Sequence, residues 1–156
     1  VRDWNQRRGV PTRRVVLALG ASRRPGTGLA PDRCTAFFRL RVPAGADASA
    51  VREALAGTPP EPDFPESGSS PLRPVIRALG NRLGATALVS HLGRVDTPAP
   101  ITALAFYPTA SGPSGIAVGA ATCGDTTTVT VRARRSAFDE PALTALLHLV
   151  TAATPH

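Results

Sequence analysis

Apolar residues alternate with polar ones along several short segments of the chain, and this spacing of two predicts β-strands. The clearest alternation covers residues 35–42, where every second side chain is apolar: Ala36, Phe38, Leu40 and Val42. A short apolar run over 14–19 predicts a buried strand before it. In the last third, the pattern predicts four strands, over 85–92, 101–107, 115–123 and 126–134. The final two form a predicted hairpin that turns at Gly124 and Asp125.

The last of these strands has two chemically different faces. Its alternation predicts that Val129 and Val131 face the core, whereas Thr128 and Thr130 face outward. We therefore expect the threonines of this strand to contact solvent.

Apolar residues three and four positions apart predict helices between and after the strands. With their caps, the predicted helices cover 1–8, 47–57, 70–83 and 139–150. Asp47 and Ser70 are residue types that cap helix N-termini, and Gly57 is a typical stop. The proline-rich segment 58–71 predicts a surface loop within the domain. Because strands and helices are interspersed along one domain-sized chain, the pattern predicts a layered α/β domain over residues 1–156.

The composition adds a strong positive charge without indicating a partner. The chain carries 18 basic and 11 acidic residues, a net charge of +7, and every basic residue is arginine. The arginines occur in scattered pairs rather than in a stripe, and only 4% of the residues are aromatic, so nucleic-acid binding is not expected. The apolar runs are too short for a membrane-spanning helix and no leader opens the chain, so we expect a cytoplasmic protein without a membrane partner.

The residues that carry chemistry are few. Cys34 and Cys123 match no metal-site spacing, so we expect two free thiols and no metal. Ser90 and His91 are adjacent on a predicted strand and therefore point to opposite faces, which prevents them from forming a nucleophile–base pair. His148 lies next to the apolar stripe of the last helix and is expected to be a packed or half-exposed side chain rather than a base. No nucleophile elbow, phosphate loop or zinc motif occurs, so this chain contains no catalytic constellation of its own.

Two segments resemble a known superfamily. Residues 89–93 read Val-Ser-His-Leu-Gly, and residues 138–150 read FDEPALTALLHLV. Together with the order of elements, these segments resemble the C-terminal half of condensation-domain acyltransferases. This is the chloramphenicol-acetyltransferase-like group, which includes polyketide-associated and other natural-product enzymes. His91 stands where that family usually has asparagine. Residues 16–25 and 32–43 are similar to the family's strand, arginine-containing loop and following strand, so the resemblance covers nearly the whole chain.

The resemblance implies a fold and a reaction. The fold would be a two-layer α/β sandwich with a mixed, largely antiparallel sheet and helices on one face. The reaction would transfer an acyl group from a coenzyme A or carrier-protein thioester to a hydroxyl or amine, without a covalently bound cofactor. The family's catalytic histidine lies in an H-H-x-x-x-D-G motif of the N-terminal half, and this chain has no such motif. The implied partners are therefore that half, in the same or a separate chain, and an acyl carrier protein.

The resemblance also implies roles for four residues. Arg24, with Arg23 as the second choice, would pair with the aspartate of the histidine motif and fix its loop. Ser90 would lie near the active-site tunnel, where its hydroxyl would donate to a developing oxyanion. His91 is the second tunnel candidate, and it would face either the tunnel or the opposite layer. The alternative for Ser90 is a hydrogen bond to a neighbouring strand or to water. The alternative for the whole chain is a non-catalytic binding or scaffolding lobe of the same fold.

Overall fold

Eight helices and strands make up the part of the chain that the structure, a computed structural model, describes. The described residues are 2–9, 12–22, 26–27, 35–61, 85–110 and 115–152. In chain order the elements are α1 (Arg2–Arg7), β1 (Arg14–Ser22), β2 (Thr35–Pro43), α2 (Ala48–Ala56), β3 (Ala87–Arg94), β4 (Ala117–Cys123), β5 (Thr126–Arg132) and α3 (Glu140–Ala152). The predicted helix over 70–83 lies outside the described residues. No helix of the described residues is long and apolar enough to cross a membrane.

The strands form one mixed sheet in the order β2–β1–β3–β4–β5. The two outer pairs, β1 with β2 and β4 with β5, are antiparallel. The two central pairs, β1 with β3 and β3 with β4, are parallel. The α/β class and the mixed sheet are confirmed, with antiparallel pairing in the two outer pairs and parallel pairing at the centre. Long connections lead into and out of β3, and such connections permit parallel pairing where tight turns do not.

Helix α2 begins and ends at the predicted cap residues. The Asp47 carboxylate accepts hydrogen bonds from the Ala50 amide and the Ser49 hydroxyl, each at 2.8 Å. These two hydrogen bonds lower the pKa of Asp47, because both stabilise its charged form. At the other end, the Gly57 amide donates to the carbonyl oxygen of Glu53. Local sequence chemistry therefore fixes both ends of this helix.

The hydrophobic core lies between α2 and the β1–β2 side of the sheet. Val15, Leu40 and Val42 are at most 4% exposed and form its centre. The helix contributes three partly buried residues that pack against this centre: Val51, Ala54 and Leu55. The predicted apolar face of β2 is confirmed, since alternate residues from Ala36 to Val42 point into this core.

Residues 95–110, here called the strap, cross the sheet without forming a strand. The predicted strand over 101–107 is therefore wrong. The reason is tertiary, because this segment lies on the face of the sheet, where the Phe106 carbonyl oxygen accepts a hydrogen bond from the Thr130 side chain. The strap begins at Val95, which is 1% exposed and whose amide donates to the Thr122 carbonyl oxygen at 2.8 Å.

Side chains of β4 and β5 hold the strap further along. The Thr97 hydroxyl lies 2.9 Å from the Cys123 sulfur, and the Thr130 hydroxyl donates to the carbonyl oxygen of Phe106. Thr130 is 6% exposed, so the expectation that it faces solvent is wrong. Its face of the sheet is buried because the strap covers it.

An aromatic contact joins α1 to the residue two positions before α3. The rings of Trp4 and Phe138 are stacked with centroids 5.3 Å apart, and the Arg8 guanidinium lies 4.9 Å from the Trp4 ring centre. The Asp139 carboxylate caps α3 by accepting from the Ala142 amide at 2.9 Å. Of the predicted apolar stripe of α3, Leu146 is buried and the other members are partly buried: Leu143, Leu147 and Val150.

Candidate functional site

Ser90 lies on β3, the central strand, with a strand paired on each side. Cross-strand pairing places five residues in one line across the sheet: Phe37, Gly20, Ser90, Gly119 and Thr130. Because directly opposed residues of neighbouring strands point to the same side, these positions share one face. We call this line the Ser90 row. Ser90 is half-buried and carries the central functional group of the row.

The Ser90 hydroxyl is hydrogen-bonded to its neighbour in β1. It donates to the carbonyl oxygen of Gly20 at 3.3 Å. A Cβ atom at position 20 would lie 3.0 Å from Ser90 Oγ and 3.5 Å from the Phe37 ring. Glycine at position 20 therefore allows the Ser90 hydroxyl to reach the Gly20 carbonyl oxygen. It also allows the Phe37 ring to lie over the backbone of β1.

The other side of Ser90 is bounded by the strap. A Cβ atom at Gly119 would collide with the carbonyl oxygen of Phe106 and with the ring of Pro108. Position 119 thus requires glycine because the strap crosses the sheet there. Ser90 consequently stands between an aromatic ring, Phe37, on one side and the strap on the other.

His91 does not join this site. It follows Ser90 on β3 and belongs to the opposite face of the sheet, as the alternation of the strand predicts. Its side chain is exposed, and its Nδ1 atom accepts a hydrogen bond from the Gly93 amide at 3.1 Å. Gly93 has a φ of 80°, a conformation that favours glycine, so this small turn is local to the end of the strand. The structure therefore keeps Ser90 and His91 apart, and they form no pair.

The predicted arginine anchors Arg23 and Arg24 lie outside the described residues. Thr27, which follows them in the chain, is described. It donates through its hydroxyl to the Asp96 carboxylate, and the Asp96 amide donates to the Thr27 carbonyl oxygen at 2.9 Å. Thr27 is thereby attached to the beginning of the strap.

Basic side chains line the edge of the same face. Arg39 and Arg41 follow Phe37 at alternate positions on β2, so all three share the face of Ser90. Arg39 forms an ion pair with Glu61, with 2.8 Å between Nε and Oε1. This edge therefore combines an exposed ring, Phe37 at 43%, with positive charge.

The described residues around Ser90 provide hydrogen-bonding groups and a defined surface, but none of them is placed as a general base beside the hydroxyl. Within the described residues, the hydrogen bond to Gly20 is the only one that Ser90 Oγ makes, and no three metal-ligating side chains come together. His148 is exposed on α3, in a shallow depression lined also by Glu140 and Thr144. Cys34 and His156 lie outside the described residues, while Cys123 is a buried free thiol beside the strap.

Sequence reasoning singled out Ser90 but missed the residues around it. Gly20 and Gly119 interrupt otherwise β-forming runs, and a glycine within a strand marks a close approach of other groups. That signal was present in the sequence. The contribution of Phe37 and of the strap depends on which strands become neighbours, and no local pattern contains this information.

Comparisons of this chain with models of protein families, with curated proteins and with solved structures find no match. The class that the fold and the site define is an α/β domain with one half-buried serine hydroxyl on its central strand.

Proposed function

We propose that this chain is the C-terminal lobe of a condensation-domain-like acyltransferase. The observation that carries the proposal is the position of Ser90 on the central strand β3, half-buried between Phe37 and the strap. This is the segment, Val89 to Gly93, in which the sequence is most similar to the tunnel strand of that superfamily. The mixed α/β sheet is compatible with such a lobe.

In the proposed reaction the chain supplies a wall of the active site rather than its base. A histidine of the other lobe removes the proton from an acceptor hydroxyl or amine. The acceptor then attacks the thioester carbonyl, the carbon–sulfur bond breaks, and the thiolate leaves with the proton that the histidine holds. Arg24, or Arg23, anchors the histidine loop by pairing with its aspartate. Ser90 and the residues around it contact the thioester substrate.

The basic edge of the sheet supports an anionic thioester carrier. Arg41 lies on the same face as Ser90 and is exposed, whereas the charge of its neighbour Arg39 is already matched by Glu61. The phosphates of coenzyme A, or the acidic surface of a carrier protein, would be attracted to this edge. The natural substrate in this proposal is therefore a thioester on one of these two carriers.

A second candidate is a non-catalytic binding lobe with the same fold. One observation favours it, because the single hydroxyl proton of Ser90 already has a partner in the Gly20 carbonyl oxygen. This hydrogen bond joins β3 to β1, so the position of Ser90 can be explained by the stability of the sheet without a bound substrate. The two candidates differ in whether acyl transfer occurs when both lobes are present.

Native mass spectrometry of the intact particle is the first test. The acyltransferase proposal requires an H-H-x-x-x-D-G segment in the same particle, on this chain or on a second polypeptide bound one to one. A particle that contains this segment is then assayed for release of free thiol from acyl-coenzyme A, with a His→Ala change in that segment as the control. Absence of the segment contradicts the acyltransferase proposal. If the segment is present but no thiol is released above the control, the binding-lobe candidate is favoured.

A further inference from the structure

The hydrogen bond of Ser90 determines which kind of group the site can recognise. A serine hydroxyl has one proton to donate and two lone pairs that accept. In Ser90 the proton is directed to the Gly20 carbonyl oxygen at 3.3 Å. The hydroxyl oxygen therefore presents lone pairs, not a proton, to any molecule that approaches this face of the sheet.

The surroundings of Ser90 restrict the shape of that molecule. Neighbouring strands are about 4.8 Å apart, so the backbones of Gly20 and Gly119 are separated by about 10 Å. The Phe37 ring lies beside the first glycine, and the strap covers the second. Because the ring and the strap stand on the two sides of Ser90, a molecule that contacts the hydroxyl must lie between them and extend along β3.

The next row of the sheet is apolar. Two residues before Ser90, Leu88 shares its face and is paired with Ala18 and Ala117 on the two adjacent strands. Leu88 and Ala18 are half-buried, and Ala117 is fully buried. An extended ligand over this strand would thus have an apolar stretch above Leu88 and a polar group above Ser90.

We propose that Ser90 is a specificity-determining residue that accepts a hydrogen bond from an N–H or O–H group of an extended, mainly apolar substrate. This inference rests on the proposed acyl-transfer function, and it assigns Ser90 a role other than donation to an oxyanion. An oxyanion donor stabilises every substrate equally at the transition state. An acceptor distinguishes substrates that carry a donor from those that lack one.

Two matched thioesters separate these roles. S-octanoyl-N-acetylcysteamine carries one amide N–H group, and S-octanoyl-2-acetoxyethanethiol has an ester oxygen in its place. With the intact native particle we expect kcat/KM for the amide to exceed that for the ester by about 3- to 10-fold, the contribution of one neutral hydrogen bond. In Ser90→Ala we expect this preference to fall to about 1, because only the amide loses a hydrogen-bond acceptor.

Two further variants test the geometry. Gly20→Ala keeps the Ser90 hydroxyl but places a Cβ atom 3.0 Å from the present position of Ser90 Oγ. We therefore expect this variant to reduce the preference for the amide thioester as well. Ser136→Ala removes an exposed turn serine and should retain the full preference. Circular dichroism checks that each variant is folded. If Ser90→Ala lowers kcat equally for both thioesters, or changes neither, the proposal is overturned.

A binding measurement keeps this test separate from that of the acyltransferase reaction. The thioethers S-octyl-N-acetylcysteamine and S-octyl-2-acetoxyethanethiol cannot transfer an acyl group, and their dissociation constants are measured by NMR titration. We expect the amide to bind about 3- to 10-fold more tightly to wild type and equally to Ser90→Ala. If no thioester reacts but the amide thioether still binds more tightly than the ester thioether, the acyl-transfer proposal is wrong. The proposal that Ser90 accepts a hydrogen bond from the ligand is then retained. If thioesters react but wild type does not distinguish the thioethers, Ser90 has another role.

Discussion

The hydroxyl of Thr130 is the contact whose removal we expect to release the strap. It is 6% exposed and donates to the Phe106 carbonyl oxygen, and it also lies 3.5 Å from the carbonyl oxygen of Gly119. Valine has nearly the shape of threonine but has no proton to donate. The change Thr130→Val therefore keeps the volume and removes one hydrogen bond.

The magnitude follows from two opposing effects. Leaving the partly buried Phe106 carbonyl oxygen without its donor costs about 1 to 2 kcal/mol, the lower part of the range for a fully buried group. Burying a methyl group in place of the hydroxyl returns up to about 0.8 kcal/mol. We therefore expect the free energy of unfolding to fall by about 0.2 to 2 kcal/mol. For a urea dependence of about 2 kcal/mol per M, the unfolding midpoint falls by about 0.1 to 1 M.

Urea unfolding and hydrogen exchange together test this reasoning. Thr128→Val is the matched control, because Thr128 shares the strand and the face and its hydroxyl makes no hydrogen bond within the described residues. We expect its midpoint to stay within about 0.2 M of wild type. Exchange of the Val95 and Ile101 amides, which donate to the carbonyl oxygens of Thr122 and Pro98, should become faster in Thr130→Val and stay at the wild-type rate in Thr130→Ser, which retains a hydroxyl. Equal midpoints for the two valine variants, with unchanged exchange in the strap, would refute this account.

Three further changes test the core, the cap of α2 and the contact between α1 and Phe138. Leu40→Ala removes a side chain that is 1% exposed, so the free energy of unfolding should fall by about 2 to 5 kcal/mol in urea titrations; a loss below about 1 kcal/mol would contradict its place at the core centre. Asp47 has a lowered pKa, so its cap stabilises the protein above the ordinary value of 3.8 and this stabilisation is lost as the pH falls below it. Asp47→Ala should accordingly be less stable than wild type near neutral pH, with a smaller difference at about pH 2.5; a constant difference would contradict the lowered pKa. Trp4 is the sole tryptophan, so Phe138→Leu should shift its fluorescence emission, and unchanged emission would argue against the stacked pair.

The elements that sequence reasoning predicted best are those defined by neighbouring residues. Asp47 and Gly57 bound α2 as predicted, because a cap bonds to amides and carbonyls within four positions along the chain. The hairpin at Gly124 likewise follows from a turn between two β-forming runs, and this glycine has the positive φ of 55° that such a turn requires.

The errors arise where residues distant in sequence decide the outcome. The alternation over 101–107 has strand spacing, yet the chain crosses β4 there instead of pairing along its length. The same crossing buries Thr130, whose local pattern predicts exposure. For the site, Ser90 could be singled out from its segment, and its separation from His91 follows from strand geometry. The partners of its hydroxyl could not be predicted, since they depend on β1 and β3 becoming parallel neighbours.

The parallel centre of the sheet has a consequence for how the protein folds. The pairs β1–β2 and β4–β5 join segments that are close in sequence, whereas β3 pairs with β1 across a separation of 70 residues at Ser90 and Gly20. Closing such a long loop costs more chain entropy than closing a local turn, so we expect β3 to add late, between two antiparallel pairs that form first. Ser90 then acquires its surroundings only in the last step of assembly. A partly folded chain with both outer pairs in place would have much of its secondary structure and no Ser90 row.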